Sequence, residues 1–315
     1  MTENSQGRKT LGWSYGGQAV MEGVMMRGRY QVAIAVRRPN DHEIVVKQEP
    51  TGKLYRGSFS RIPFLRGVPM LWDSLGLGMK ALFFSAEVVG QAEDPEFKMN
   101  TGSELFLGAF SLLAGMALFM VLPSYVAGVL ITKHDLLFNI IEGLIRLVLL
   151  IGYMAVIGRM EEIRRVFAYH GAEHKTINAH EDGAPLTVEG VRPYSRQHAR
   201  CGTAFLLVVV LISILVFAPL GKPPLPIRII SRLLLLPVIA GIAYEVLRFT
   251  GKHAGNPIIR ALIAPNLALQ NLTTREPDDS MLEVAITALK TVLAGESEGE
   301  QPQISPPAAD KRQES

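Results

Sequence analysis

The sequence predicts a mainly α-helical, polytopic membrane protein with about four transmembrane helices, a small N-terminal β-containing cytoplasmic region and cytoplasmic amphipathic helices. Three observations favour this fold class. Hydrophobic residues make up 48% of the 315 residues, and the mean hydropathy of +0.22 is high for a soluble protein. Four long apolar runs divide the chain, and basic residues cluster between the second run and the third.

Each of the four apolar runs approaches or exceeds the length that crosses a bilayer, which is about 20 residues of α-helix. The first run has no charged residue, and the second contains only Glu142 and Arg146. The runs cover residues 106–131, 136–158, 203–220 and 229–249. We therefore assign the first two transmembrane helices to residues 104–158 and the last two to residues 203–249.

The basic residues indicate the orientation of these helices, because Lys and Arg flanking a membrane span stay on the cytoplasmic side. Residues 159–202 contain seven Lys or Arg, whereas the connections around Lys133 and Lys222 carry few. The segment 159–202 is therefore predicted to be cytoplasmic, and both termini lie on the same side. The single cysteine, Cys201, suits this reducing compartment.

The overall charge narrows the choice of partners. The formal net charge is only +3 and the pI is about 8.9, so no specific nucleic-acid binding is expected. The lipid bilayer is the expected surrounding, and a cytoplasmic or membrane protein is the candidate macromolecular partner.

Residues 1–100 have the character of a soluble region. Residues 31–48 hold two β-branched, alternating stretches around a Pro-Asn-Asp turn, which predicts a β-hairpin. Residues 68–89 carry an apolar stripe at helical spacing and predict an amphipathic helix. We place this helix on the membrane surface, and packing against the hairpin fits the pattern equally well.

After the fourth span, residues 250–294 predict a cytoplasmic amphipathic region. A stretch marked by Gly and Pro leads to an amphipathic helix from about Asp279 to Leu293, and Ser280 with Glu283 fits a capping box at its start. The segment 295–315 is rich in Glu, Pro and Gln, which predicts a disordered tail.

Histidines are concentrated in the cytoplasmic segment. Four of the seven, His170, His174, His180 and His198, lie in residues 159–202. If residues 163–181 form a helix that continues from the second span, His170 and His174 are about one turn apart on the same face. Both imidazoles then project toward whatever this helix packs against.

The spacing of these residues predicts a metal site. Two histidines at positions i and i+4 of a helix can bind one ion, and His170-x-x-Glu173-His174 matches the H-x-x-E-H pattern of certain zinc proteases. In such a site the histidines hold a divalent metal, most simply zinc, and Glu173 is the catalytic residue that accepts a proton from water.

Further ligands must come from elsewhere, and His198, Cys201 and Glu181 are the candidates. Four protein ligands would close the site and make it structural, whereas three would leave the open position that a catalytic zinc needs. The alternative without a metal is that the histidines are hydrogen-bonded side chains beside lipid headgroups.

Three ionisable residues lie within the predicted spans. Glu142 and Arg146 have the spacing and order of a helical ion pair, and Arg232 begins the fourth span at a similar depth. Ionisable groups in hydrocarbon are costly and usually functional. The simpler interpretation is that this set fixes the register of the helices.

The motif GGQAVMEGVMMRG, together with YHGAEHKTINAHE, RQHARCGTAF and LTTREPDD, resembles the YqhQ-like family of uncharacterised bacterial membrane proteins, which are described as predicted metal-dependent enzymes. The resemblance extends from about Gly16 to Leu293. It implies a location in the bacterial plasma membrane, agrees with a metal cofactor, and marks Glu22 and Arg27 as further motif residues.

Three functions are compatible with these patterns. The first is a membrane-anchored, metal-dependent enzyme, most simply a hydrolase, with its site at the cytoplasmic membrane surface. The second is a non-catalytic accessory or assembly factor with a structural metal clasp. The third is an ion or solute transporter that uses the ionisable residues within the spans.

Overall fold

Four antiparallel strands form one sheet near the N-terminus in the computed structural model, which describes residues 15–51, 62–64, 66–131 and 135–299. The strands are β1 (Gly16–Val20), β2 (Gly23–Arg27), β3 (Gln31–Arg37) and β4 (Ile44–Pro50). Their order in the sheet follows the chain. The hairpin predicted at residues 31–48 corresponds to β3 and β4, while β1 and β2 come from a Gly- and Met-rich segment with weak strand propensity.

Ten α-helices are present in the described residues. They are α1 (Gly67–Glu93), α2 (Thr101–Met116), α3 (Leu122–Leu130), α4 (Asp135–Ile157), α5 (Glu161–Glu181), α6 (Val188–Val191), α7 (Gly202–Phe217), α8 (Leu225–Lys252), α9 (Pro257–Thr273) and α10 (Asp279–Gly299). A π-helical turn, Ala117–Val121, joins α2 to α3. The predicted fold class, mainly helical with a small N-terminal sheet, is confirmed.

Four candidate membrane spans occur among the described residues. They are Gly102–Leu130, Leu136–Ile157, Gly202–Leu220 and Leu225–Lys252. Large apolar side chains on these helices face outward, with Leu105, Leu215 and Leu234 each more than 70% exposed. Such exposure is unfavourable in water and suits contact with lipid. The chain is therefore a membrane protein with four apolar helices.

The two central strands, β2 and β3, are buried on both faces, because their side chains alternate between two helical layers. On one face, residues including Val24 and Met26 pack against α5 and α10. On the other face, residues including Met25 and Ile34 pack against α1. The pairing of Met26 with Ala33 and of Met25 with Ile34 keeps each set on its own face.

Helix α1 combines the two placements that the sequence left open for residues 68–89. Ala81 and Val88 are buried against the sheet, while Trp72 is 71% exposed and Leu75 is 56% exposed. Gly67 approaches Gly241 of α8, and a Cβ on Gly67 would lie 2.8 Å from the Cα of Gly241. The helix thus packs on the sheet and still presents an apolar face beside a membrane span.

The helix that carries the histidines is not continuous with the second span, so that part of the prediction is wrong. Helix α4 ends at Ile157 and α5 begins at Glu161, with an extended residue, Met160, between them. Gly158 allows the close turn, since a Cβ there would lie 2.9 Å from the carbonyl oxygen of Met154. Because of this break, α5 runs in a different direction from α4 and packs against the face of the sheet that carries Val24 and Met26.

The C-terminal region contains one more helix than the sequence predicted. Pro257 occupies the first turn of α9, where its missing N–H costs nothing, and Asn256 caps that turn. Helix α10 is capped by Asp278, whose Oδ1 accepts the N–H of Met281 at 3.0 Å, rather than by Ser280. Helix α10 also continues past Leu293 to Gly299. Residues 300–315 of the predicted disordered tail lie outside the described residues.

Gly171 is the point where α5 meets the segment before α10. Arg275 donates its backbone N–H to the carbonyl of Phe167 at 2.8 Å, and a Cβ on Gly171 would overlap the Arg275 carbonyl oxygen. We expect Gly171→Ala to destabilise the protein by about 1 to 3 kcal/mol, because the backbone contact must open. Thermal unfolding in detergent measures this, and Gly152→Ala, a helical glycine with open space, is the control. An equal thermal midpoint for both variants would contradict the close packing.

Candidate metal site

Two histidines and the single cysteine converge at one point between α5 and α7. One potential ligand atom from each of His170, His174 and Cys201 lies within 4.8 Å of the others, and the Cys201 Sγ is 3.3 Å from the Nε2 of His170. His174 is 1% exposed and Cys201 is 4% exposed. We call this set of three residues the His-His-Cys cluster.

Both imidazoles are oriented by backbone carbonyls. The Nδ1 of His170 donates to the Thr273 carbonyl at 2.8 Å, and the Nδ1 of His174 donates to the Arg196 carbonyl at 2.6 Å. Because a carbonyl oxygen only accepts, Nδ1 of each ring carries a proton, and Nε2 is the ring nitrogen that points to the cluster. Burial lowers the pKa of His174, which favours the neutral, metal-binding form.

Cys201 is held at the N-terminus of α7, as its N-cap residue. Its Sγ accepts the backbone N–H of Thr203 at 3.4 Å and lies 3.0 Å from the Thr203 hydroxyl. These contacts hold the sulfur, a common metal ligand in proteins, at the start of α7.

Glu173 lies beside the cluster and is almost completely buried. Its Oε2 is 3.8 Å from the Nε2 of His170 and 3.7 Å from the Nε2 of His174. Burial raises the pKa of Glu173, and the two most strongly opposing influences are His170 and His198. The carboxylate is therefore a proton acceptor or donor placed next to two potential ligands.

Strand β1 reaches Glu173 through a glycine. The backbone N–H of Gly17 donates to the Glu173 carboxylate, which lowers its pKa in part. A Cβ on Gly17 would lie 2.8 Å from the Glu173 Cγ and 2.6 Å from the Met25 carbonyl oxygen. Only glycine lets the strand approach this closely, which explains the second glycine of the N-terminal motif, Gly17.

His198 and Glu181 lie next to the cluster, and within the described residues neither belongs to the set whose ligand atoms converge. The His198 Nε2 is 3.6 Å from the Glu181 Oε2, and Glu181 also pairs with Arg200. The rings of His174 and His198 have centroids 5.7 Å apart. The geometry therefore brings together three of the predicted ligands and leaves two beside them.

Gln270 of α9 fixes the loop that carries His198 and Cys201. Its side chain accepts the His198 backbone N–H at 2.9 Å and donates to the His198 carbonyl at 2.9 Å. The sequence prediction missed Gln270, since a polar residue among apolar ones resembles a surface position. It also missed Thr273, although LTTREPDD was one of the resembling motifs.

The motif residues Glu22 and Arg27 attach the sheet to its two helical layers. Glu22 accepts two hydrogen bonds from Arg165 of α5, at 2.5 and 2.6 Å. It occupies the β1–β2 turn with a left-handed φ of 49°. Arg27 forms an ion pair with Asp73 of α1. Both residues therefore position elements around the cluster and lie outside it.

A cavity with a mixed polar and apolar lining opens beside the cluster. Its volume is about 270 Å³, and the side chains that line it include Glu181, His198, Arg200, Arg260 and Leu267. The cavity is next to the cluster because its lining residue His198 lies beside the His174 ring.

Glu142, Arg146 and Arg232 meet within the apolar helices. Glu142 pairs with Arg146 at 2.9 Å and with Arg232. Arg146 also donates to the carbonyl of Phe119 at 2.8 Å, in the π-helical turn whose widened hydrogen bonding leaves carbonyls available. Its remaining bond, to the Ser213 hydroxyl at 2.9 Å, brings in α7. The network thus ties together all four apolar helices.

The donors in the cluster fit a zinc ion. Imidazole nitrogen and thiolate sulfur are the usual zinc ligands, and both histidines have the carbonyl hydrogen bonds that commonly orient such ligands. His180, by contrast, faces away from the cluster and stacks edge-on against Tyr15, with ring centroids 5.1 Å apart.

Comparison with known proteins identifies the family. The family model described as "Protein of unknown function (DUF1385)" matches residues 62–295. The chain belongs to this family. It is also 37% identical to the "Uncharacterized protein YqhQ" of Bacillus subtilis (strain 168) over 305 residues, which covers 92% of this chain and 95% of that protein. No solved structure matches the chain significantly. The resemblance to the YqhQ-like family seen in the motifs is confirmed. The descriptions of the family and of the Bacillus subtilis protein name neither a metal nor an activity.

Removing the Gln270 side chain should loosen the loop that holds Cys201. Gln270→Ala removes the two side-chain hydrogen bonds to the N–H and C=O of His198, and the loss of these two buried bonds costs about 2 kcal/mol or more. Because Cys201 is the single cysteine, the rate of thiol labelling reports its exposure directly. We expect faster labelling and a lower thermal midpoint for Gln270→Ala. Gln91→Ala, whose bonds stay near its own helix, should leave both unchanged. Unchanged labelling in Gln270→Ala would contradict the role of this side chain.

Proposed function

We propose that the protein is a membrane-anchored, metal-dependent hydrolase whose site lies at the cytoplasmic surface of the bacterial plasma membrane. The observation that carries the proposal is the convergence of His170, His174 and Cys201 beside the buried carboxylate of Glu173. Three ligands leave one position open, which is the arrangement of catalytic zinc sites.

Each residue has a distinct role in this proposal. His170, His174 and Cys201 bind the metal, which would supply Lewis acidity and make a water molecule a better nucleophile. Glu173 accepts the proton from water, and its burial-raised pKa suits a group that must also release that proton. Gly17 holds the carboxylate through its backbone N–H.

The cytoplasmic placement rests on the distribution of charge. The loop between α4 and α7, which contains the cluster, carries most of the basic residues near the spans. The sheet and α10 lie at this same end of the spans, since they pack on α5. Basic flanks of this kind stay in the cytoplasm.

Burial favours a second candidate function, a structural clasp in an accessory or assembly factor. Glu173, His174 and Cys201 are each at most 4% exposed, which restricts substrate access. A metal here would join α5 to the N-terminus of α7, close to the end of α9 that orients His170. It would then fasten the sheet-bearing layer to the spans.

Metal analysis of the full-length protein in detergent tests the site itself. We expect about one zinc per chain in the wild type and in Glu173→Gln, and loss of most of the metal in His174→Ala and Cys201→Ala. His253→Ala is the matched control, because His253 is exposed and bonds only its own helix. A metal-free wild type whose stability is unaffected by the His174 substitution would overturn both metal functions.

A second experiment separates the enzyme from the clasp. Glu173→Gln is introduced into a strain that depends on the protein, and its metal content and thermal midpoint are measured in parallel. Loss of the cellular function with metal and fold retained supports catalysis. Retained function in Glu173→Gln, with His174→Ala and Cys201→Ala failing through instability, supports the clasp.

A further inference from the structure

Arg228 is a buried cation for which the described residues provide no carboxylate partner, and it lies at the opposite end of the spans from the His-His-Cys cluster. It lies in the first turn of α8, is 5% exposed, and packs over the Phe138 ring at 4.7 Å. Its Nε and Nη1 atoms have no hydrogen-bond partner in the part of the chain that the structure describes. A guanidinium that is buried and unsatisfied is costly, and more so beside hydrocarbon.

The surroundings of Arg228 are strongly positive. Arg146 and Arg232 share the carboxylate of Glu142, and Glu142 is the one acid among the described side chains at this end of the spans. Lys222 lies on the same ring as Arg228, with its Nζ 5.4 Å from the Phe138 centroid. The N-terminus of α8 adds a further partial positive charge.

Helix α3 contributes a glycine that packs close to this cation and, one turn earlier, a hydroxyl group. Gly128 faces Arg228, and a Cβ there would lie 3.6 Å from both terminal guanidinium nitrogens. Ser124, one helical turn earlier on the same face, is fully buried, and its hydroxyl has no hydrogen-bond partner among the described residues. Two kinds of donor are thus buried and unsatisfied on facing helices, which is the usual sign of an absent ligand or ordered solvent.

We propose that Arg228 is the centre of a phosphate-binding site at the end of the bundle opposite the His-His-Cys cluster. The guanidinium offers forked N–H donors that match phosphate oxygens, and Ser124 offers a hydroxyl. The first turn of a membrane span lies near the level of lipid phosphates, so a phospholipid headgroup and free inorganic phosphate share the required chemistry. The site is independent of the metal.

Binding measurements on the full-length, delipidated protein in neutral detergent test this site. Native mass spectrometry and thermal unfolding are carried out with phosphatidylglycerol, with diacylglycerol and with inorganic phosphate. We expect phosphatidylglycerol to bind and to raise the thermal midpoint, and diacylglycerol to do neither. Equal effects of inorganic phosphate would identify free phosphate as the ligand, and its failure would identify the headgroup.

Two substitutions on α8 make the test specific. Arg228→Gln should weaken phosphatidylglycerol binding by about tenfold or more, as expected for loss of charge-assisted hydrogen bonds, while keeping the midpoint of the lipid-free protein. Arg248→Gln removes the same charge from the exposed opposite end of the helix and should bind like the wild type. Arg228→Lys keeps the charge without the fork and should fall between them.

Three results would contradict a phosphate site at Arg228. Equal affinity of Arg228→Gln and the wild type for phosphatidylglycerol, or equal stabilisation by diacylglycerol, would show that Arg228 only packs on Phe138. Absence of binding by both phosphatidylglycerol and inorganic phosphate would also overturn the site, because ordered water would then satisfy Arg228 and Ser124.

Discussion

The candidate site depends on two hydrogen bonds from imidazole Nδ1 atoms to backbone carbonyls. The bond from His170 reaches the end of α9, and the bond from His174 reaches the loop before α7. Together they turn both Nε2 lone pairs toward the sulfur of Cys201. Without them the rings would be free to rotate, and two histidines one turn apart on a helix would be an ordinary buried pair.

The rest of the molecule can be understood as support for that geometry. The sheet reaches the site at Gly17 and is attached to α5 through Glu22. Gln270 fixes the loop between α6 and α7. Within the apolar helices, Glu142 and its two arginines hold the spans together.

The sequence predicted the features that depend on local pattern and missed those that depend on close packing. The apolar runs, the hairpin of β3 and β4, and the pairing of His170 with His174 follow from periodicity and from spacing along a helix. The break between α4 and α5 depends on space around Gly158, which composition does not reveal. The sequence did not indicate a role for Arg228, because the side chain of an arginine at the start of a span usually reaches water. The bond from Gln270 to His198 joins residues far apart in sequence, and no local pattern encodes it.

X-ray absorption spectroscopy of the metal-loaded, full-length protein is the most direct measurement of the central claim. For zinc we predict one sulfur neighbour at about 2.3 Å and imidazole nitrogens at about 2.0 Å. Cys201→Ser should lose the sulfur contribution and keep the imidazole scattering. A metal bound only by nitrogen and oxygen in the wild type would contradict the convergence of Cys201 with His170 and His174.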